Sequence, residues 1–196
     1  SALNSTFNAT ANITIYNVQC PASIAYTGGF YTTYSDVKSN SASCPFCTNV
    51  ECSGNILTFT TEHFSGFVLQ SVCGELNQNN TVYNLTNNVS AIGTCFNITA
   101  DNVTIEGNGY KITGDIDASN TSEAGKAFTG LVINNTLVFG NVLSLGRNSS
   151  ISSSGGNGGS ITLMNSNVSG TVSSIAGIST IGGLDGGISG VITLIN

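Results

Sequence analysis

Short runs in which apolar and polar residues alternate recur along this chain, and no stretch sustains a 3.6-residue period. The runs are rich in Val, Ile, Thr, Tyr and Phe and are bounded by Gly, Asn and Ser. That pattern predicts strands joined by turns throughout, an all-β chain in two parts. The boundary falls near Gln70 to Cys73, giving residues 1–71 and 72–196.

In the first part, Asn12 to Val18 alternates, which turns Ile13 and Ile15 inward, with Val18 a further candidate. Ser23–Tyr26 and Phe30–Tyr34 flank Gly28-Gly29, a hairpin-type turn. Asn55–Thr61 places Leu57 and Phe59 on one face. The expected fold is a small antiparallel β-sandwich with an extended N-terminal segment, pinned by cysteines in a loop from Ser39 to Ser53.

The second part reads as stacked short strands: 82–85, 95–98, 103–105, 110–113, 131–133, 137–139, 142–145, 161–163 and 191–194. Gly159-Ser-Ile-Thr-Leu-Met-Asn165 and Gly190-Val-Ile-Thr-Leu-Ile-Asn196 are near copies about thirty residues apart, and Gly130-Leu-Val-Ile-Asn134 sits about thirty earlier. Self-similarity at that period marks a solenoid. Short strands with Asn and Gly turns fit a parallel β-helix with three strands per coil.

Composition adds a constraint. Only 7% of the 196 residues are charged and four are cations, Lys38, Lys111, Lys126 and Arg147, with a net charge of −6. Four scattered cations cannot build a nucleic-acid face or bind an anionic membrane surface. No apolar run reaches the roughly 20 residues of a membrane helix. Something other than charge must keep the surface wet, and covalent sugar is the natural candidate. Asn-X-Ser/Thr occurs twelve times, at Asn4, Asn8, Asn12, Asn79, Asn84, Asn88, Asn97, Asn102, Asn120, Asn134, Asn148 and Asn167. Some of these are chance in so Asn-rich a chain. Covalent N-linked glycans are expected, and no cofactor. The opening at Ser1, without Met or a signal segment, reads as a processed form.

Six cysteines, Cys20, Cys44, Cys47, Cys52, Cys73 and Cys95, form an even set in a sequon-bearing chain, which implies disulfides in an oxidising compartment. Cys44-Pro-Phe-Cys47 also has CxxC spacing, so Cys20, Cys44, Cys47 and Cys52 could instead hold zinc. No βαβ pattern surrounds the motif to suggest a thioredoxin-like role.

Cys73-Gly-Glu-Leu, then Tyr83-Asn-Leu-Thr-Asn-Asn-Val-Ser, Gly93-Thr-Cys-Phe-Asn-Ile-Thr and Asn102-Val-Thr-Ile-Glu-Gly-Asn-Gly-Tyr-Lys-Ile-Thr-Gly114 resemble the opening of right-handed parallel β-helix domains of the pectate-lyase-like type. They look most like those in secreted and surface proteins of archaea, including small-genome lineages. Thr58–Phe67 resembles the last strand of small β-sandwich modules that precede such helices. The resemblance implies a surface-exposed, glycosylated assembly protein without a specified reaction. It also implies a Cys73–Cys95 disulfide, leaving Cys20, Cys44, Cys47 and Cys52 to pair among themselves in one of three ways.

Enzymes on this fold need clustered carboxylates. The second part offers Glu75, Asp101, Glu106, Asp115, Asp117, Glu123 and Asp185, with Asp115-Ile-Asp117 near Lys111 as the best pair. Solvated acids on a coil turn are the simpler reading, so no catalytic or metal residue is expected and the chain is not read as an enzyme. His63, the single histidine, reads as a strand-end residue. The glycines at 155, 156, 158 and 159 lack the Lys-Ser/Thr of a phosphate loop. The aromatics of Phe30 to Tyr34 are candidates for stacking on glycan, with packing the simpler role.

Gly190–Asn196 is an apolar strand at which the sequence stops, and an uncapped coil would expose backbone and apolar side chains that recruit another chain. Ser1–Thr14 is a candidate strand donor. The expected function is a structural subunit of an extracellular or cell-surface filament, a homopolymer joined head-to-tail by β-strand addition, by β-helix end stacking, or both. An adhesin or stalk fragment of a larger surface protein, and a polysaccharide lyase or hydrolase, are the alternatives.

Overall fold

The structure is a computed structural model that describes residues 10–28, 33, 36, 41–62, 66–119, 130–146, 156–177 and 188–196. The chain is all-β and divides into two compact units, Ser1–Val72 and Cys73–Asn196.

The first unit contains β1 (Ala11–Tyr16), β2 (Ala22–Thr27), β3 (Ala42–Ser43), β4 (Cys47–Ser53), β5 (Ile56–Thr61) and β6 (Gly66–Ser71). They form two antiparallel sheets, β1-β5-β4 and β3-β2-β6. Ile13 and Ile15 stand opposite Phe59 and Leu57 across the β1–β5 ladder, while Asn12 and Thr14 face solvent. Val18, Ile24, Leu57 and Phe59 make the buried centre, and Ala22, Phe67 and Leu69 of the other sheet pack on it. Phe59 and Phe67 meet edge to face at 5.2 Å, an arrangement worth about 1 kcal/mol beyond area burial.

So small a core depends on covalent ties. Cys20–Cys52 and Cys44–Cys47 are disulfides, and Cys44, Cys47 and Cys52 pack against the cluster. Cys20–Cys52 spans 32 residues, which by loop entropy is worth about 3–4 kcal/mol.

Two readings of this part need correction. The segment expected as a cysteine-pinned loop, 39–53, contains strand β4, paired with β5 across an irregularity between Thr48 and Glu51. Thr48 to Glu51 are all exposed, so β4 carries no apolar alternation to announce it. Gly28-Gly29 was expected to join β2 to a strand at 30–34, but the partners of β2 are β3 and β6; of 30–34 only Thr33 lies within the described residues.

The second unit contains β7 (Gly74–Leu76), β8 (Val82–Asn84), β9 (Val89–Ile98), β10 (Val103–Glu106), β11 (Lys111–Asp117), β12 (Leu131–Asn134), β13 (Leu137–Phe139), β14 (Val142–Leu145), β15 (Ile161–Met164), β16 (Asn167–Val168), β17 (Val172–Ile175) and β18 (Ile192–Ile195). Every pairing among the described residues of this unit is parallel. One sheet runs β18-β15-β12-β10-β8; the other is built on β7, β9 and β11, with β13 then β16 on one arm and β14 then β17 on the other. The chain alternates between the two sheets. The echoed phrases lie side by side: Leu131 beside Ile161 beside Ile192, and Ile133 beside Leu163 beside Leu194. Val103, Ile105, Leu131, Ile133, Ile112, Val138, Val142 and Ile161 are all buried in one cluster fed by both sheets. The Cys73–Cys95 disulfide ties the start of the unit to β9.

The backbone changes direction by two devices. The described non-glycine residues with positive φ are all asparagines, among them Asn108, Asn135 and Asn165, the last two each directly after a strand of the first parallel sheet. Asparagine tolerates that left-handed region better than other side chains. The second device is a column of glycines. A Cβ on Gly140 would lie 2.3 Å from the Gly114 carbonyl oxygen, and one on Gly170 would lie 2.4 Å from that of Gly140. Successive layers therefore touch backbone to backbone at this bend.

Polar side chains complete it. Asp115 Oδ1 accepts from the Asn141 N–H at 2.7 Å, and Asn141 Oδ1 accepts from the Thr171 N–H at 2.9 Å. On another edge, buried Ser144 Oγ accepts from the Gly159 N–H and Ser174 Oγ from the Gly190 N–H, at 2.8 and 3.1 Å.

Two outcomes follow. Gly140→Ala forces a methyl into the Gly114 carbonyl and should cost about 1–3 kcal/mol in urea unfolding. Tyr83, whose ring is buried and whose hydroxyl accepts from the Gln78 N–H, has its pKa raised above 10.0 chiefly by that burial. The unfolded chain therefore loses this proton first, so the contribution is intact below pH 10 and declines as pH rises from there toward the folded value. Stability measured from pH 9 to 11 should fall less steeply in Tyr83→Phe.

Candidate functional site

Acidic side chains are the first place to look for chemistry. Asp115 and Asp117 are both half-buried on β11, either side of buried Ile116, and each carboxylate is engaged: Asp115 Oδ1 accepts from the Asn141 N–H and Nδ2, while Asp117 Oδ1 accepts from the Ser119 N–H at 2.9 Å. Glu106 accepts from the Asn108 N–H and from Asn134 Nδ2, and Glu75 accepts from the Thr99 hydroxyl at 2.6 Å. Asp101 gives its N–H to Asn79 Oδ1. The carboxylates of Asp115, Asp117, Glu106 and Glu75 thus stitch turns and neighbouring layers together. Two shallow clefts, one around Glu75 beside Cys73 and Cys95, the other around Glu51 beside Asn12 and Thr58, each bring a single carboxylate. Lys111 lies with its Nζ 6.0 Å over the Phe139 ring. His63, Glu123, Asp185, Lys38, Lys126 and Arg147 lie outside the described residues.

Among the described residues no group of three or more His, Cys, Asp or Glu side chains could hold a metal. Cys20, Cys44, Cys47 and Cys52 form two disulfides, which answers the zinc alternative: their sulfurs are bonded to each other and are not thiolate ligands. Also among the described residues, no helix is long and apolar enough to cross a membrane.

The sequons separate by geometry. Asn4, Asn8, Asn120 and Asn148 lie outside the described residues. Asn12, Asn79, Asn84, Asn88, Asn102 and Asn167 are exposed, whereas Asn97 and Asn134 are half-buried. Asn12, Asn79 and Asn88 use Oδ1 as an acceptor, from the Thr60 hydroxyl and the Asp101 and Lys111 N–H groups. That leaves the nitrogen, the atom a glycan joins, turned from the bonded edge. Asn102 instead donates Nδ2 to Asn80 Oδ1. Asn134 is the opposite extreme. Its Nδ2 donates to Glu106 at 2.6 Å, its Oδ1 is buried without a partner, and the hydroxyl of its sequon residue, buried Thr136, donates to the Tyr110 carbonyl.

The remaining feature is an edge. Along the first parallel sheet, Val103, Ile105, Leu131, Ile133 and Ile161 are fully buried, and Leu163 nearly so. Their successors on β18 are not: Ile192 is 41% and Leu194 69% exposed. Val191, Ile195 and Ile188 are exposed beside them, as is Ile175 of β17. β18 pairs with β15 on one side, and no described strand occupies the other. Among the described strands the opposite edge is β8, which pairs with β10 and has Val82 exposed.

Sequence reasoning did not single out Asn141, Ser144 or Ser174. The recurrence of Gly114-Asp115, Gly140-Asn141 and Gly170-Thr171 is a signal that could have found the first. Compared with known proteins, the chain matches no family model, no curated protein and no solved structure.

If the chain is glycosylated, glycopeptide mapping should find Asn134 unmodified while Asn79 and Asn88 carry sugar. Asn134 fully occupied in folded protein would contradict the hydrogen-bond assignment.

Proposed function

We propose that the chain is a structural subunit of an extracellular, glycosylated filament or surface assembly. In this reading the first unit is a small β-sandwich and the second a right-handed parallel β-helix, and copies join head-to-tail. The observation that carries it is the apolar row Ile192 and Leu194, in register with buried predecessors yet exposed. Covering those two side chains is worth on the order of 2–4 kcal/mol, and the unpaired backbone of an edge strand favours strand addition. The partner surface would be another parallel edge with apolar side chains at alternate positions. The β8 edge of a second copy, with Val82 exposed on it, is the candidate.

Three disulfides suit an oxidising compartment. The low charge and the exposed sequons suit a sugar-wetted surface. The carboxylates bound into turn and interlayer hydrogen bonds favour a structural role over a polysaccharide lyase or hydrolase. A second reading, a stalk or adhesin piece of a larger surface protein, is favoured by the steady register of β12, β15 and β18. There the next strand belongs to the same polypeptide.

Light scattering and negative-stain microscopy of the purified 196-residue chain test this reading. Mass that grows with concentration, and filaments, are expected. Leu194→Glu should abolish both while leaving the circular dichroism of the fold unchanged. A wild-type chain that stays monomeric at high concentration overturns self-assembly and leaves the stalk reading.

A further inference from the structure

On the outer face of the second parallel sheet, Leu137 and Phe139 are exposed, 40% and 47%, although both belong to β13 in the middle of the sheet. Their neighbours are fixed by the register. Lys111 stands beside Leu137 on one side and Asn167 on the other, while Thr113 stands beside Phe139. Beyond Lys111 lies Asn88, whose Oδ1 accepts from the Lys111 N–H at 2.9 Å. This small apolar patch is thus bracketed by two sequons, Asn88-Val-Ser90 and Asn167-Val-Ser169, each with its asparagine exposed.

We infer that Asn167 carries a glycan whose first sugars lie over Leu137 and Phe139; this rests on the reading of the chain as a glycoprotein. Adjacent strands are about 4.8 Å apart, so a sugar on Asn167 begins one strand away from Leu137. Phe139 is its diagonal neighbour, at about 7–8 Å. The C–H face of a sugar ring covers the part of the Phe139 ring beside Lys111, whose Nζ lies 6.0 Å from the ring centroid, and the sugar hydroxyls meet Lys111 and Thr113. Two partly exposed side chains fall far short of the ~800 Å² per partner of a stable protein interface, so a few sugar rings match the patch better than a protein does. The donor is a lipid-linked, phosphate-activated oligosaccharide. The amide nitrogen of Asn167 bonds to sugar C1, the C1–O bond to phosphate breaks, the lipid phosphate leaves, and one amide proton is lost.

The test uses the full chain secreted from a host that modifies Asn-X-Ser/Thr. Glycopeptide mapping is expected to find Asn167 occupied. Asn167→Gln should then lower the melting temperature by about 2–4 °C, and by much less in a Phe139→Ser background. Because Phe139 is on the surface, that variant should fold; Leu137→Ser provides a second background with the same expectation. Equal shifts in all backgrounds, with Asn167 occupied, overturn the contact. Sugar at other sequons but not at Asn167 overturns this inference alone. No sugar at any sequon overturns the glycoprotein reading and this inference with it.

Discussion

A short parallel strand with apolar residues on its inner face cannot dry that face alone, and everything in the second unit answers to this constraint. Val103 and Ile105 are buried because Leu131 and Ile133 lie beside them, and those in turn because Ile161 and Leu163 follow. Where that succession stops, at Ile192 and Leu194, exposure returns at once. The difference is one of neighbours, since Ile161-Thr-Leu163 and Ile192-Thr-Leu194 are the same three residue types. Burial here is a property of the stack.

Stacking in register places a second demand on the bends, where layers must approach at strand spacing without side chains between them. The Gly114, Gly140 and Gly170 column meets it by having no Cβ, and Asp115 and Asn141 accept from the Asn141 and Thr171 N–H groups that the bend frees. A buried N–H without an acceptor costs about 1–3 kcal/mol, so Asp115 is needed where it stands. The same carboxylate that resembles half of a catalytic pair in the sequence is occupied by this task. The first unit meets its own shortage of core differently, by binding β4 to the segment before β2 with Cys20–Cys52.

Much of this was legible from the sequence. The thirty-residue echo marked β12, β15 and β18, because inward positions in a stack repeat their residue types. The disulfide partners of Cys20 and Cys44 were not legible, since several pairings suit the same spacing. Strands β16 and β17 escaped notice because Asn167-Val168 and Val172-Ser-Ser-Ile175 offer too little alternation; they are strands through their neighbours β13 and β14. β4 escaped for the same reason. The sequons looked equivalent in one dimension, yet Asn134 and Asn88 differ in which amide atom the fold has claimed.

The Ser144 and Ser174 hydroxyls, each bonding the layer next to it, stand thirty positions apart, as do Gly140 and Gly170. A segment of that size therefore carries its own strands, its own bends and its own interlayer bonds. Duplication of such a segment in the gene would lengthen the stack by about 4.8 Å and preserve every type of contact already present. On the proposed β-helix reading, length would follow copy number, and the reach of the molecule could change without a new core.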